Sequence, residues 1–314
     1  MWRFPNHFRA LAELHLVVFI WGFTAILGKL ISVSALDLTI YRIPIALLAM
    51  VAYTHRRQGI ARLPLKARMA LWGTGLIIAL HWLTFYHAIK ISNISVTLAG
   101  FSSGAFFAAL FEPLIERRRV SKVELGLSLV AIAALYLIFR AESGYAGGML
   151  LAVISAALSA LFAVLNGRFA RLYPPSAVAI HELAGGWLGI VPIWLLSSAT
   201  GDGVLVPTAA DVGWILVLAL VCTAYPFLAS IRLMQQISAF TLVLTVNLEP
   251  LYGIAFARLI FGESEHMSPA FYLGVLMILG SLLLNGWIKA KERQKTHSPS
   301  HNDRGSTESQ AKQG

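Results

Sequence analysis

Charge is scarce in this chain, and acid is the scarcer sign. Only 13% of its 314 residues are Asp, Glu, Lys or Arg, and 15 acids face 25 bases. A soluble domain of this length needs more polar surface. With 57% hydrophobic residues and a mean hydropathy of +0.71, the chain is dissolved in lipid. Cysteine is almost missing: Cys222 stands alone, excluding an intramolecular disulfide and a cysteine-based metal cluster. GxxxxGK[ST] is absent, so no P-loop supplies ATP as a direct energy source. HExxH and a close carboxylate pair within an apolar run are absent too. An intramembrane enzyme would need a nucleophile with its base, or a metal. His81 and His87 stand about 240° apart round a regular helix and cannot hold one metal together. No cofactor, metal or catalytic residue is expected.

What the chain has is long apolar runs. Ten are long enough to span a bilayer, with cores at 11–31, 39–54, 70–89, 94–112, 123–139, 147–166, 178–198, 213–231, 240–260 and 270–288. A spanning helix needs about 20 such residues. None alternates apolar and polar positions as a membrane β-strand would. The fold class expected is an all-α integral membrane protein of ten transmembrane helices. The first run reads as a span and not as a cleaved leader, and no lipidation motif appears.

The bases explain the pI near 9.9 without nucleic acid. If ten spans alternate, 20 of the 25 Lys and Arg fall on one side. They include Arg56, Arg57 and Arg62 after the second run and Arg117 to Arg119 after the fourth. Lys90 and Arg140 alone occupy loops on the other side. Cationic loops stay cytoplasmic, so both termini are expected there. The polar stretch Lys289 to Gly314 reads as a disordered cytoplasmic tail.

The two halves resemble each other. SNISVTLAGFSSGAFFAALFEPL (Ser92 to Leu114) pairs with QQISAFTLVLTVNLEPLYGIAFA (Gln235 to Ala257), aligned on Ile94-Ser95 and Ile237-Ser238. VELGLSLVAIAALYL and FYLGVLMILGSLLL follow, aligned on Gly126 and Gly274. Upstream, Lys29 and Arg42 stand 13 apart, and Arg168 and Glu182 stand 14 apart. Five spans per half force opposite insertion, so the chain divides into inverted repeats at 1–140 and 147–288, followed by 289–314. ISAFTLVLTVNLEPLYGIAFARLIFGES (Ile237 to Ser264), HWLTFYHAIKISNISVTLAG (His81 to Gly100) and Trp21-Gly22 resemble the EamA-type branch of the drug/metabolite transporter superfamily over nearly the whole chain. The resemblance implies a carrier in a bacterial inner membrane that moves small metabolites or amino acids, often outward. One departure stands out: Glu249-Pro250 aligns with Phe106-Phe107, so a site at that depth is asymmetric.

Glu249 and Pro250 lie inside an apolar run from Phe240 to Phe261. Pro250 cannot donate to the carbonyl of Val246 and should kink the helix. In lipid that is tolerated only against protein or a wet cavity, and a mid-span carboxylate costs a few kcal/mol or more. Thr241, Thr245, Glu249 and Tyr252 recur at four, four and three and are expected to share one inward face. Asn247, on another side, is expected to cap a freed carbonyl or bridge helices. Glu249 then either binds substrate or couples protons, or it locks two helices together. His81, mid-span, is its proton partner or a satisfied interhelical hydrogen-bonder. Trp82 and Tyr86 line a pocket or anchor at an interface, and the second reading suits Tyr86 and His87. Lys29 and Arg42 are expected to snorkel to headgroups; turned inward, they would make a cationic patch for a substrate carboxylate. Glu182 is a candidate gate through Arg168 or Arg171. Trp21, Asn166 and Tyr225 are lesser pocket candidates. Gly100/Gly104 and Gly185/Gly189 form GxxxG pairs assigned to packing.

The function expected is secondary transport of a small molecule by alternating access. Proton coupling and solute exchange are both open, as is the oligomeric state. An intramembrane enzyme, a gated channel and a receptor are the competing classes. A channel would more readily show a symmetric polar filter.

Overall fold

The apolar runs fold as helices because a backbone in hydrocarbon must satisfy its own polar groups. The computed structural model describes residues 6–57, 59–117, 122–199 and 206–297. In chain order the α-helices are α1 (Asn6–Leu30), α2 (Ala35–Arg57), α3 (Leu65–Ile91), α4 (Ile94–Phe101), α5 (Gly104–Glu116), α6 (Lys122–Ala141) and α7 (Ala146–Leu172). They continue with α8 (Pro175–Ala199), α9 (Ala209–Ala219), α10 (Tyr225–Leu233), α11 (Ala239–Val246), α12 (Glu249–Phe261) and α13 (Pro269–His297). There is no strand among the described residues. Eight helical stretches are long and apolar enough to cross a membrane, and Leu129–Ala141 and Pro269–Ser281 are shorter apolar helices. Leucines such as Leu48, Leu188, Leu195 and Leu259 are exposed on the outside of the bundle, which suits contact with lipid.

Three spans are interrupted, each for a local reason. Between α4 and α5, the Ser102 and Ser103 hydroxyls donate to the carbonyls of Leu98 (3.0 Å) and Gly100 (2.8 Å). Serine hydroxyls that bond back in this way compete with the helical ladder. Between α9 and α10, Leu220–Ala224 forms a single π-turn. Pro226 follows without an N–H to give, and the Thr223 hydroxyl takes the carbonyl of Leu218 at 2.7 Å. Between α11 and α12, the Leu248 N–H donates to Thr245 O at 3.0 Å, a three-residue step. The kink expected at Pro250 is therefore a break at Asn247-Leu248. Pro250 sits in the first turn of α12, where no N–H is needed.

Small residues set the closest approach. A Cβ on Gly75 would lie 1.9 Å from the Glu182 carbonyl oxygen, and one on Gly185 would lie 2.2 Å from Trp72 Cα. Helices α3 and α8 thus touch backbone to backbone, as the Gly185/Gly189 pair suggests. Helix α6 packs against α13, where Gly274 accepts the Ile138 side chain. The expected tail begins inside a helix: α13 runs on to His297, past Lys289. Its Lys, Glu, Arg and Gln residues favour helix, and no breaker comes before Ser298-Pro299. Residues 298–314 lie outside the described residues, as do Arg3, Arg118 and Arg119.

Candidate substrate cavity

Where the interrupted spans part, the helices leave an internal cavity of about 70 Å³, room for several waters at about 10–15 Å³ each. Its walls come from α1, α2, α3, α4–α5, α7, α9–α10 and α11–α12. Most of the surface is apolar and aromatic, from Trp21, Trp82, Phe85, Phe101, Phe162 and Phe227. The polar groups are few: Thr24, Arg42, His81, Tyr86, Ser159, Thr223, Ser230, Asn247 and Glu249. An apolar cavity with a small set of converging polar groups is the usual form of a small-molecule site.

Glu249 opens α12 and is 4% exposed. Thr24 of α1 lines the same cavity, its hydroxyl donating to Trp21 O at 2.7 Å. Asn247, 3% exposed, donates from Nδ2 to the Val243 carbonyl at 3.0 Å and also faces the cavity. The four-residue face expected around Glu249 is not the one that forms. Thr245 returns its hydroxyl to Thr241 O at 2.9 Å and lines a separate pocket beside His15 and Leu283. Tyr252 packs on α1 at Gly22 and stands edge-on to Phe19, ring centroids 5.5 Å apart. The break at Asn247-Leu248 resets the helical phase, so spacing counted across it is not a shared face.

His81 joins α3 to α7. Its Nδ1 lies 3.0 Å from the Ser155 carbonyl and 2.8 Å from Ser155 Oγ, while that hydroxyl donates to His81 O at 3.0 Å. A carbonyl can only accept, so Nδ1 carries the proton and Nε2 is the acceptor of the neutral ring. His81 stacks on Phe101, with centroids 5.5 Å apart and planes 25° apart. It is not hydrogen-bonded to Glu249.

Arg42 overturns the snorkelling expectation. It is the eighth residue of α2, 2% exposed, and lines the cavity. Its Nη1 donates to the Tyr86 hydroxyl, and its Nη2 donates to Thr223 Oγ1 at 2.6 Å. The guanidinium lies 4.1 Å from the Trp82 ring centroid and 5.3 Å from that of Tyr86. Tyr86, 1% exposed, is thus a cavity residue and not an interfacial anchor; His87 is exposed. Lys29 does not snorkel either. Its Nζ donates to Glu265 Oε1 at 2.7 Å and to Ser264 Oγ at 3.2 Å, away from the cavity. Glu265, fully buried, accepts from the backbone N–H groups of Ile94 and Ser95 at the start of α4.

The remaining candidates separate. Trp21 lines the cavity. Tyr225 is 42% exposed, with its hydroxyl 3.4 Å from Glu13 Oε1; the π-turn directs Cys222 and Thr223 inward in its place. Glu182 accepts from Asn166 Nδ2 at 3.2 Å, both residues wholly buried. Arg171 instead pairs with Glu116 at 2.8 Å, and among the described residues Glu182 has no ion pair with Arg168 or Arg171. Gly104, assigned only to packing, also lines the cavity. Thr24, Phe101, Phe162 and Thr223 were not expected there. A threonine three residues before Pro226 in an apolar run is the signal that could have marked the last of them.

These features define a multi-pass membrane protein whose helices surround a mid-bundle cavity. A family model described as the EamA-like transporter family matches residues 11–140 and again residues 146–287, and the chain belongs to that family. Members of this family are transporters rather than enzymes. A solved structure, titled only as the crystal structure of a protein, shares the fold at 18% identity and a TM-score of 0.64, covering 87% of this chain and 95% of that one. No curated protein matched the chain.

Proposed function

We propose that the chain is a secondary active transporter that exports small metabolites or amino acids by alternating access. In this reading ten spans form two inverted five-helix repeats at 1–140 and 147–288, with both termini cytoplasmic and the chain in a bacterial inner membrane. The observation that carries it is the cavity itself. Three interrupted spans open onto it, and it holds a buried carboxyl at the first turn of a half-helix. Discontinuous helices that place polar groups mid-bundle are the usual architecture of carrier sites. Glu249 binds the substrate or carries the coupling proton, with Thr24 beside it on the cavity wall.

The test is uptake and counterflow in reconstituted vesicles, screened over amino acids, nucleosides and organic acids with and without a pH gradient. The expected result is saturable flux of one class, abolished or uncoupled from the gradient in Glu249→Gln while the protein still inserts and folds. Unchanged flux in that variant would leave the carboxyl with a structural part alone.

A further inference from the structure

The cations of this chain are unevenly partnered. Lys29, Arg171, Arg232 and Arg258 are each at least partly exposed, and each has a glutamate: Glu265, Glu116, Glu13 and Glu263 respectively. Arg42 is more deeply buried than any of these, yet among the described residues no carboxylate lies within ion-pair distance of it. Its two hydrogen bonds go to neutral hydroxyls, on Tyr86 and Thr223. Its Nε is buried without a partner. The Trp82 face recovers part of what the guanidinium loses on leaving water, but an isolated buried charge remains costly until an anion meets it. For those four cations the fold supplies the anion from its own chain. Here it leaves the position to something that enters the cavity.

We propose that Arg42 is the anchor for the carboxylate of a small organic acid, whose apolar body lies among the cavity's aromatic rings. The assignment rests on the carrier reading for the identity of the site, and adds the class of cargo. A carboxylate matches the planar guanidinium through two parallel N–H···O bonds, and Nε is the N–H that still lacks a partner. The body is set by the walls. Phe85 and Phe101 stand edge to face with centroids 5.4 Å apart, and Phe101 stacks on His81. Those surfaces suit a flat, uncharged group. A second negative charge is disfavoured, because among the described residues Arg42 is the single Lys or Arg on the cavity wall, and Glu249 shares that wall.

The experiment uses the full-length protein in nanodiscs and three probes of one shape: benzoate, benzamide and benzylammonium. Binding is read from intrinsic tryptophan fluorescence, since Trp82 touches the guanidinium, and from the shift in thermal midpoint. Benzoate is expected to bind at least about tenfold more tightly than benzamide, and benzylammonium more weakly still. Arg42→Gln is expected to erase the preference, and Arg42→Lys to keep its sign with a smaller ratio. Arg232→Gln, a cation outside the cavity, should leave it unchanged. Equal affinity for benzoate and benzamide, or no binding of benzoate, overturns the assignment. So does a preference that survives Arg42→Gln. The wild-type comparison of the three probes decides the matter even where a variant fails to fold. Carboxylate preference without flux in vesicles would instead count against the carrier reading and leave this site standing.

Discussion

Two of the three interrupted spans have the same anatomy and opposite fillings. Each consists of eight helical residues, a two-residue break and thirteen more: α4 and α5 in the first matched stretch, α11 and α12 in the second. Capped starts fall in register, with Asn93 accepting from Val96 N and Ser238 accepting from Thr241 N. Matching the breaks puts Glu249 opposite Gly104 and Asn247 opposite Ser102, two residues from the pairing with Phe106-Phe107 read from sequence. In the first stretch all eight residues of α4 are buried, and a glutamate from elsewhere holds its first N–H groups. In the second, α11 is only partly buried, and its break carries an amide and a carboxyl. The same backbone device serves as an anchor on one side and as a carrier of chemistry on the other.

The comparison breaks most visibly at the anchor. Glu265→Ala leaves the N–H groups of Ile94 and Ser95 without their acceptor and Lys29 without its carboxylate. Loss of one member of a buried pair costs about 3–5 kcal/mol; Lys29 can partly rehydrate, which favours the low end. Ser238→Ala, at the matching start of α11, removes one capping bond and should cost about 1 kcal/mol. Thermal unfolding of both variants in detergent measures the ratio. Equal losses would show that the first span is not specially anchored.

A smaller difference is expected two residues before the first break. A Cβ on Gly100 would lie 2.7 Å from Ala152 Cβ and 3.0 Å from Met149 Sδ on α7. Gly100→Ala should therefore cost about 1–3 kcal/mol by overpacking, with the midpoint falling accordingly. A midpoint equal to wild type would mean that α4 and α7 have room to move apart.

The spans could be read from sequence because hydrocarbon imposes a length of apolar chain, and nothing in a soluble core imitates it. Helix existence therefore followed from composition, including α6 and α13 at the edge. Side-chain direction did not follow, since it depends on an unbroken helical phase. Counting through Asn247-Leu248 puts Thr245 and Tyr252 on Glu249's face, and a regular helix at Tyr225 leaves out the extra residue of the π-turn that brings Thr223 to the cavity. Arg42 was misplaced for another reason. With the apolar core counted from residue 39, it looked terminal; α2 begins at Ala35, which sets Arg42 about two turns inside, near 10 Å at about 1.5 Å per residue. Trp21, His81 and Glu249 do line the cavity, and all three are polar or aromatic residues inside largely apolar runs.

Thr245 gives the smallest effect and the sharpest check on the phase reset. It stands opposite Gly100 when the breaks are matched, and an unbroken helix would have aimed it with Glu249 at the substrate. Its hydroxyl instead bonds within its own helix, to Thr241 O, and the pocket it borders is lined by Leu244, Leu248, Leu279 and Leu283. Thr245→Val keeps the shape and loses one intrahelical bond that competes with the ladder. The expected change in stability is within about 0.5 kcal/mol, and vesicle flux should match wild type. Flux that fell in Thr245→Val as it does in Glu249→Gln would mean that α11 and α12 behave as one continuous helix in the working protein. The asymmetry between the two spans would then lie in their sequence alone.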